Sequence, residues 1–330
     1  MSTEDRKIIK KRLLLFLALA FLITYAFEFG FLFPKWREIR SIAALPIAPV
    51  MFIPSIAAVI VRLLTKEGFK PAYIDPRFRR GKRRYYLMAW FGPSILTVIG
   101  VLIYFLIFRG NFSVDMEYYV GVLKGQGADY APQVARSMVL SSAVAGFFLA
   151  PVLNFVTCFG EEWGWRGYLL PKLRELTGLV PAVLISGVIW GLWHLPLTIM
   201  GHNYGLSYKG YPVCGILAMC CFCLVIGILL SWLFIRTGSV LPPVFAHGAL
   251  NGFASLGIYF TKDGGNPFIG PSVTGIISGL PFIICAAIVL KRLRDDPKEA
   301  VELPGEKTVQ KQKTGRSERR ETQEGSQHNI

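Results

Sequence analysis

Two adjacent glutamates, Glu161 and Glu162, follow about twenty apolar residues in the stretch FGEEWGWRGYLLPKL, which begins at Phe159. Ionised groups are costly in apolar segments and are usually kept there for a function. If a helix continues through this stretch, Glu162 and Arg166 are four residues apart and can pair on one face. Glu161 then points about 100° away and lacks such a partner. An unpaired carboxylate at low dielectric is a competent general base, which makes Glu161 a candidate for that role. The alternative interpretation is that both glutamates only cap the membrane surface.

Two later stretches, VIWGLWHLPL and PPVFAHGALNG, place histidines inside apolar sequence. His194 lies among aromatic residues, and a single histidine in a membrane helix is more often an interhelical hydrogen bonder than a catalyst. His247 and Asn251 are four residues apart, so both face one side of a helix. Such a donor pair can stabilise an oxyanion, although a pair that only joins helices would look identical. The combination of the three stretches is more specific than any one of them.

Several other kinds of site are missing from the sequence. All seven aspartates lie outside the apolar runs, which removes an intramembrane aspartyl protease. There is no HExxH motif, so the ordinary zincin arrangement is excluded. The six cysteines have neither zinc nor redox spacing, and we interpret them as packing residues. Glu28, late in the first apolar run, is interpreted as a carboxylate solvated at the membrane interface.

The composition is that of a membrane protein. Of the 330 residues 53% are hydrophobic and 17% charged, and the mean hydropathy is +0.46. Repeated apolar runs of about twenty residues, without alternation of period two, predict an all-α, polytopic bundle of transmembrane helices rather than a barrel. The predicted spans, about eight in number, are 12–33, 42–64, 85–108, 137–159, 180–200, 212–235, 240–260 and 268–290.

Lysine and arginine are distributed unevenly among the loops. Five lie in the N-terminal segment and eight between the second and third spans, whereas the loops of the opposite side carry three, three, one and one. The positive-inside rule therefore places both termini in the cytosol, with Glu161 and Glu162 at the cytosolic end of the fourth span. The net charge of +15 is explained by topology and contact with anionic lipid, so no nucleic-acid partner is predicted.

The chain divides into three predicted regions. Residues 1–136 hold three N-terminal spans and a basic cytosolic loop, and residues 137–291 hold spans four to eight with the polar motifs. Residues 292–330 are charged and nearly free of aromatic side chains, which predicts a disordered cytosolic tail.

The order EExxxR, then WxxxH about thirty residues later, then HxxxN about fifty residues further on resembles the CPBP family. This family comprises CAAX-prenyl endopeptidases and bacteriocin-processing or self-immunity membrane proteases, with the Ras-converting enzyme as a eukaryotic relative. The flanking stretches WRGYLLPKL and WGLWHLP are typical of it, and the resemblance covers roughly residues 140–260. Trp190 stands where many members have phenylalanine, a change that should keep the pocket wall.

The resemblance implies roles for the polar residues of the motifs. These roles are water activation by Glu161 with His194, oxyanion stabilisation by His247 and Asn251, and structural support by Glu162 and Arg166. It leaves the cofactor open, since Glu161, His194 and His247 could ligate zinc. A zinc protease needs a separate base, however, and this site is one carboxylate short, which favours a metal-free glutamate mechanism.

The predicted function is an intramembrane endopeptidase that cleaves a membrane-bound, prenylated or otherwise lipidated peptide near the cytosolic surface. Its location is the cell membrane of a prokaryote or the endoplasmic reticulum of a eukaryote. The alternative is a noncatalytic self-immunity protein that binds a peptide and could lose the site residues without penalty. A proton-coupled transporter is disfavoured, because the sequence contains no inverted repeat.

Overall fold

The structure is a computed structural model that describes residues 1–39, 47–78, 81–128 and 130–295. Within these ranges the chain forms α-helices and short 3₁₀ or π turns and no β-strand, which confirms the predicted all-α class. The α-helices of the described ranges are α1 (Thr3–Phe27), α2 (Phe33–Ile39), α3 (Ile53–Leu64), α4 (Arg83–Ile107), α5 (Glu117–Gly125), α6 (Pro132–Leu153), α7 (Phe155–Gly164), α8 (Leu170–Thr177), α9 (Leu179–Trp193), α10 (Leu195–Ile199), α11 (Val213–Thr237), α12 (Leu241–Phe253), α13 (Leu256–Tyr259) and α14 (Leu280–Asp295).

Several helices are long and apolar enough to cross a membrane. Leu102 and Leu106 of α4 and Val144 of α6 are among the large apolar side chains left exposed on them, as expected for surfaces that contact lipid. The chain is therefore a helical membrane protein. The segments that meet the length and hydropathy of a span within the described residues are Thr3–Trp36, Arg83–Ile107, Pro132–Leu153 and Val213–Thr237, and Ala48–Leu64 and Leu179–Trp193 are shorter apolar helices.

Two predicted spans are broken where the polar motifs begin. The span 137–159 is divided at Asn154, whose Nδ2 donates to the carbonyl oxygens of Ala150 and Gly248 at 3.0 and 3.1 Å. The second of these hydrogen bonds connects the junction of α6 and α7 to α12. The span 180–200 is divided at His194, because Pro196 in the first turn of α10 lacks the N–H that would continue the helix.

The last two predicted spans are also shorter than the sequence indicated. The span 240–260 consists of α12 and the single turn α13, and the first half of the span 268–290 is not helical, since α14 begins only at Leu280. Turns occupy the preceding segment, where Gly265 has a φ of +75°, a conformation that favours glycine. The start of the span 42–64 and the predicted tail from residue 296 onward lie outside the described residues.

Glycine allows α9 and α11 to pack closely. A Cβ added to Gly191 of α9 would lie 2.5 Å from the Cα of Cys220 on α11, and one on Gly227 would lie 3.1 Å from the Cα of Gly187. Small residues four apart let membrane helices approach one another in this way. The contact fixes the end of α9, and therefore His194, against α11.

Glu67 joins α1 to the segment that follows α7. Its carboxylate accepts hydrogen bonds from Lys172 Nζ at 2.5 Å and from the Tyr168 hydroxyl at 3.0 Å, and Arg12 Nε lies 3.6 Å away. Burial raises the pKa of Glu67, but the charges of Lys172, Arg12 and Arg62 outweigh burial, so the pKa lies below its usual range. An ionised Glu67 thus anchors the chain just beyond Arg166.

Gly191→Ala should destabilise the bundle, because the new methyl group meets the backbone of α11. Overpacking of this kind costs about 1–3 kcal/mol. Thermal unfolding of the detergent-purified protein should show a lower midpoint for Gly191→Ala than for Gly121→Ala. The second variant makes the same change within α5, where nothing lies within 4 Å of the added Cβ. Equal midpoints would contradict the close packing of α9 on α11.

Candidate active site

Three parts of the fold carry the polar residues of the motifs. One is α7 together with the π-helical turn Trp165–Leu169 that follows it, another is the residue that caps the end of α9, and the third is α12. The α7 segment carries Glu161, Glu162 and Arg166. His194 caps α9, and α12 carries His247 and Asn251.

Glu162 is the charged centre of the site. Its Oε1 accepts a hydrogen bond from Arg166 Nη1 at 2.8 Å, and the side chains of both residues are fully buried. The pairing predicted from their spacing is therefore confirmed. The same oxygen lies 2.9 Å from His247 Nδ1, a contact that the sequence did not predict. Glu162 thus holds together the α7 segment and α12.

Trp190 connects most of the remaining site residues. Its indole Nε1 donates to Glu161 Oε2 at 2.8 Å, and its ring centroid lies 5.3 Å from that of His247 and 5.6 Å from that of His194. The guanidinium carbon of Arg166 lies 4.7 Å from the ring centroid, within the range of a cation–π contact. From the sequence, Trp190 is expected only to form a pocket wall, although its position four residues before His194 is a signal that both share one helix face.

Glu161 is buried without a direct ion pair to a described residue. Its side chain is 3% exposed and forms no ion pair with a described residue, as its position on the helix predicted. Oε2 is held by Trp190, and Oε1 accepts no hydrogen bond from a described residue. One carboxylate oxygen is therefore oriented while the other is left for a small molecule or a substrate atom.

The environment of His194 defines the position of its ring proton. Nδ1 lies 2.8 Å from the carbonyl oxygen of Trp190. Because a carbonyl oxygen can only accept, Nδ1 must carry a hydrogen, and Nε2 of the neutral ring is then an acceptor. The residue is half-buried, and the thiol of Cys223 lies 3.8 Å from Nδ1.

Asn251 is the most accessible of the site residues. It is exposed, whereas His247, one turn before it, is 4% exposed. Its Nδ2 lies 3.7 Å from Cys158 Sγ, and it borders a cleft of about 240 Å³ between α6, α12 and α13 that includes Ser142 and Ser255. The site therefore opens at Asn251, and Cys158 and Cys223, interpreted from sequence as packing residues, each contact a site residue.

The interpretation of Glu28 as an interfacial carboxylate is wrong. The side chain is 1% exposed, and neither oxygen has a hydrogen-bond partner among the described residues. One turn earlier, Thr24 accepts a hydrogen bond from Trp193 Nε1 at 2.7 Å, so this face of α1 is turned toward the end of α9. The π-helical turn that begins at Glu28 is a feature often found at functional sites.

The zinc arrangement considered from sequence is not assembled here. Within the described ranges, no three His, Cys, Asp or Glu side chains converge in a group that could hold a metal ion. The ring of Trp190 contacts both histidines, and His247 Nδ1 is directed at Glu162 rather than at Glu161. The residues as placed do not fit a zinc ion, and we derive no step that uses one.

The part of the chain that carries the motifs is similar to known proteins. Residues 138–253, which include all six predicted site residues, match the family model described as Type II CAAX prenyl endopeptidase Rce1-like. For this segment, the match confirms the resemblance recognised from the three motifs. A curated relative, CAAX prenyl protease 2 of Methanococcus maripaludis, is 29% identical over 132 residues. That similarity covers 39% of this chain and 45% of the relative, so less than half of the relative's length is matched.

Glu162 and Arg166 should be needed for folding of the Rce1-like segment, because loss of either strands the other charge in the interior. Breaking a buried pair costs about 3–5 kcal/mol. Glu162→Gln and Arg166→Leu should therefore reduce the yield of monodisperse protein in detergent. Glu161→Gln is the matched control, since its amide oxygen can still accept from Trp190. If all three variants lose yield equally, the two glutamates do not have separate roles.

Proposed function

We propose that this protein is an intramembrane endopeptidase of the CAAX type. The observation that carries the proposal is the buried carboxylate of Glu161, oriented by Trp190, with the rings of His194 and His247 packed on the same indole. The family match of residues 138–253 supports the same reaction class. The catalytic residues and their roles are part of the proposal.

Glu161 is the general base in this mechanism. A water molecule hydrogen-bonded to Oε1 loses a proton to the carboxylate while its oxygen attacks the carbonyl carbon of the scissile peptide bond. Burial among apolar and aromatic side chains strengthens this proton transfer, because competing solvent is excluded from the carboxylate. The proton then passes to the leaving amine as the C–N bond breaks.

His194 assists by accepting a hydrogen bond from the same water. Its Nδ1 hydrogen is committed to the carbonyl of Trp190, so Nε2 is the nitrogen left for this role. A neutral imidazole with its acceptor nitrogen directed at the water orients the nucleophile without adding a charge to the site.

His247 and Asn251 stabilise the tetrahedral intermediate. When His247 carries both ring protons, Nδ1–H donates to Glu162 and Nε2–H is left to donate to the oxyanion. The amide of Asn251, one turn further along α12, supplies a second donor at the open side of the site. Glu162 and Arg166 act as structural support, since Glu162 orients His247 and Arg166 balances its charge.

The substrate in this proposal is a membrane-associated peptide, prenylated or otherwise lipidated, that is cleaved near the cytosolic surface. Both termini are assigned to the cytosol, with the catalytic core in residues 137–291, accessory helices in 1–136 and a charged tail in 292–330. The orientation of the chain in the membrane is inferred from the number of lysine and arginine residues in the loops.

A noncatalytic peptide-binding protein of the self-immunity type is the second candidate. It is supported by the fact that the same family resemblance includes such proteins. The burial of Glu161 without a direct ion pair to a described residue counts against it, because a binding role does not require that cost.

Glu161→Gln should abolish cleavage while it leaves the fold intact. Quantitative proteomics of membranes from cells that carry the wild type or the variant should show longer forms of the substrate only with Glu161→Gln. Asn251→Ala should then lower the rate of cleavage of that substrate about 10²- to 10³-fold, the size expected for one lost oxyanion donor. Cys158→Ala, which removes the side chain next to Asn251 but not the donor, serves as the control and should keep the wild-type rate. Identical membrane proteomes would favour the noncatalytic candidate.

Lys82, which precedes α4 in the basic loop, should be inaccessible from outside the cell. A cysteine at this position, in a chain whose exposed native cysteines Cys214 and Cys221 are replaced, should react with an impermeant maleimide only after the cells are opened. Reaction in intact cells would reverse the proposed orientation.

A further inference from the structure

A cleft that the proposed mechanism does not use lies where α4 begins and where α11 and α14 end. Its volume is about 770 Å³. The three helices meet here at the end of the bundle that carries the basic loop, so the cleft is positioned where a membrane-spanning helix leaves the bilayer.

Basic side chains dominate the rim of this cleft. Arg84 comes from the first turn of α4, Arg236 from the last turn of α11, and Lys291 and Arg292 from α14. Among the described residues that border the cleft, Asp295 is the acidic one, and it forms an ion pair with Arg294 at 2.9 Å. Arg84, Lys291 and Arg292 therefore place positive charge around the described part of the cleft.

Tyr85 holds two of these cations in fixed positions. Its hydroxyl oxygen accepts hydrogen bonds from Arg84 Nη2 at 3.0 Å and from Arg236 Nε at 2.9 Å. The tyrosine is 3% exposed, and its ring packs edge-on against Trp232 with centroids 5.4 Å apart. Two guanidinium groups from different helices are thus directed into one cleft by a buried residue, whereas flexible surface cations have no such support.

Lys82, which precedes α4, lies near the same guanidinium groups. Burial lowers its pKa, the phenol of Tyr85 opposes this effect, and the guanidinium groups of Arg236, Arg84 and Arg77 lower the pKa further. Burial is the main cause of this lowered pKa, and the nearby guanidinium groups add to it.

The walls of the cleft are apolar on the side away from the rim. Met88 lies one turn after Arg84 on α4 and is 51% exposed, and Ile288 lies one turn before Arg292 on α14 and is 48% exposed. Both side chains belong to helix faces that point outward from the bundle. The cleft therefore combines a cationic end with an apolar side along the helix axes.

We propose that this cleft is a binding site for an anionic phospholipid. The lipid phosphate lies between Arg84 and Arg292, which supply charge-assisted hydrogen bonds, and an acyl chain lies along Met88 and Ile288. The apolar wall is the reason to assign a lipid and not a soluble phosphate compound, which would leave Met88 and Ile288 without a partner. This site is independent of the proposed peptidase activity.

The test is a titration of the purified full-length protein with phosphatidylglycerol in a neutral detergent, followed by native mass spectrometry. The protein should bind one phosphatidylglycerol at concentrations where phosphatidylcholine, which has no net charge, does not bind. Glycerol 3-phosphate, which offers the same phosphate without acyl chains, should not displace the lipid at tenfold excess.

A pair of double variants with equal change in charge separates a site from a general surface effect. Lys291→Gln with Arg292→Gln removes two cations of the cleft, and Lys10→Gln with Lys11→Gln removes two cations of α1. All four side chains are exposed and form no hydrogen bond or ion pair with a described residue, so neither double variant should disturb folding. The first should weaken phosphatidylglycerol binding roughly 25-fold, from the contribution expected of two basic residues near a membrane surface. The second should change it less than about twofold.

Three results would overturn the proposal. An equal loss in both double variants would mean that lipid responds only to overall charge. Equal binding of phosphatidylcholine would mean that the cleft does not select an anionic headgroup. Displacement by glycerol 3-phosphate would assign the cleft to a soluble phosphate compound. Arg84→Gln on α4 adds a separate check, since a lipid that bridges α4 and α14 must also bind more weakly to this variant.

Discussion

An ionised group inside a membrane bundle has to be neutralised nearby, because the low dielectric makes an isolated charge far more costly than in water. Glu162 meets this requirement with two partners, Arg166 on its own helical segment and His247 on α12. The pair with Arg166 is local, but the contact with His247 joins residues 85 positions apart. The arrangement of the whole site depends on this carboxylate.

The neighbouring carboxylate, Glu161, has a neutral hydrogen-bond donor in place of an ion pair. Glu161 lies one residue before Glu162 on the helix, so its side chain points toward α9. There it accepts a hydrogen bond from the indole N–H of Trp190, whereas Glu162 pairs with the guanidinium of Arg166. A neutral donor orients the carboxylate without balancing its charge, which keeps it reactive. Two adjacent glutamates therefore serve different purposes because helical geometry sends their side chains to different neighbours.

Close packing of helices makes these contacts possible. The glycines of α9 and α11 bring the two backbones together, and Gly227 leaves room for Arg166, whose Nη2 would lie 3.6 Å from a Cβ at that position. The break at Asn154 separates α7 from α6, and the Asn154 side chain connects this junction to α12 by a hydrogen bond to the carbonyl oxygen of Gly248. At the basic end of the bundle, the Tyr85 hydroxyl accepts hydrogen bonds from arginines of two helices. The active site and the basic cleft therefore each depend on an aromatic side chain with one polar atom, Trp190 in the first and Tyr85 in the second.

The sequence by itself determined the features that depend on composition or on residues close together in the chain. The apolar runs predicted a helical membrane protein, and the spacing of Glu162 and Arg166 predicted their ion pair, since four residues separate neighbours on a helix face. The order of the three motifs was sufficient to recognise the family. The breaks at Asn154 and His194 were not predicted, because proline within an apolar run is compatible with either a continuous or a divided membrane helix.

Only the tertiary structure decided which distant residues meet. The bond between Trp190 and Glu161 spans 29 positions, and neither it nor the contact between His247 and Glu162 has a local signal. Glu28 shows the same limit, since its place late in an apolar run suggested the interface, whereas the packing of α1 against the end of α9 buries it near the site. Helix periodicity specifies the face on which a side chain lies, but the neighbour of that face is set by how the helices pack, and this is not encoded in any single segment.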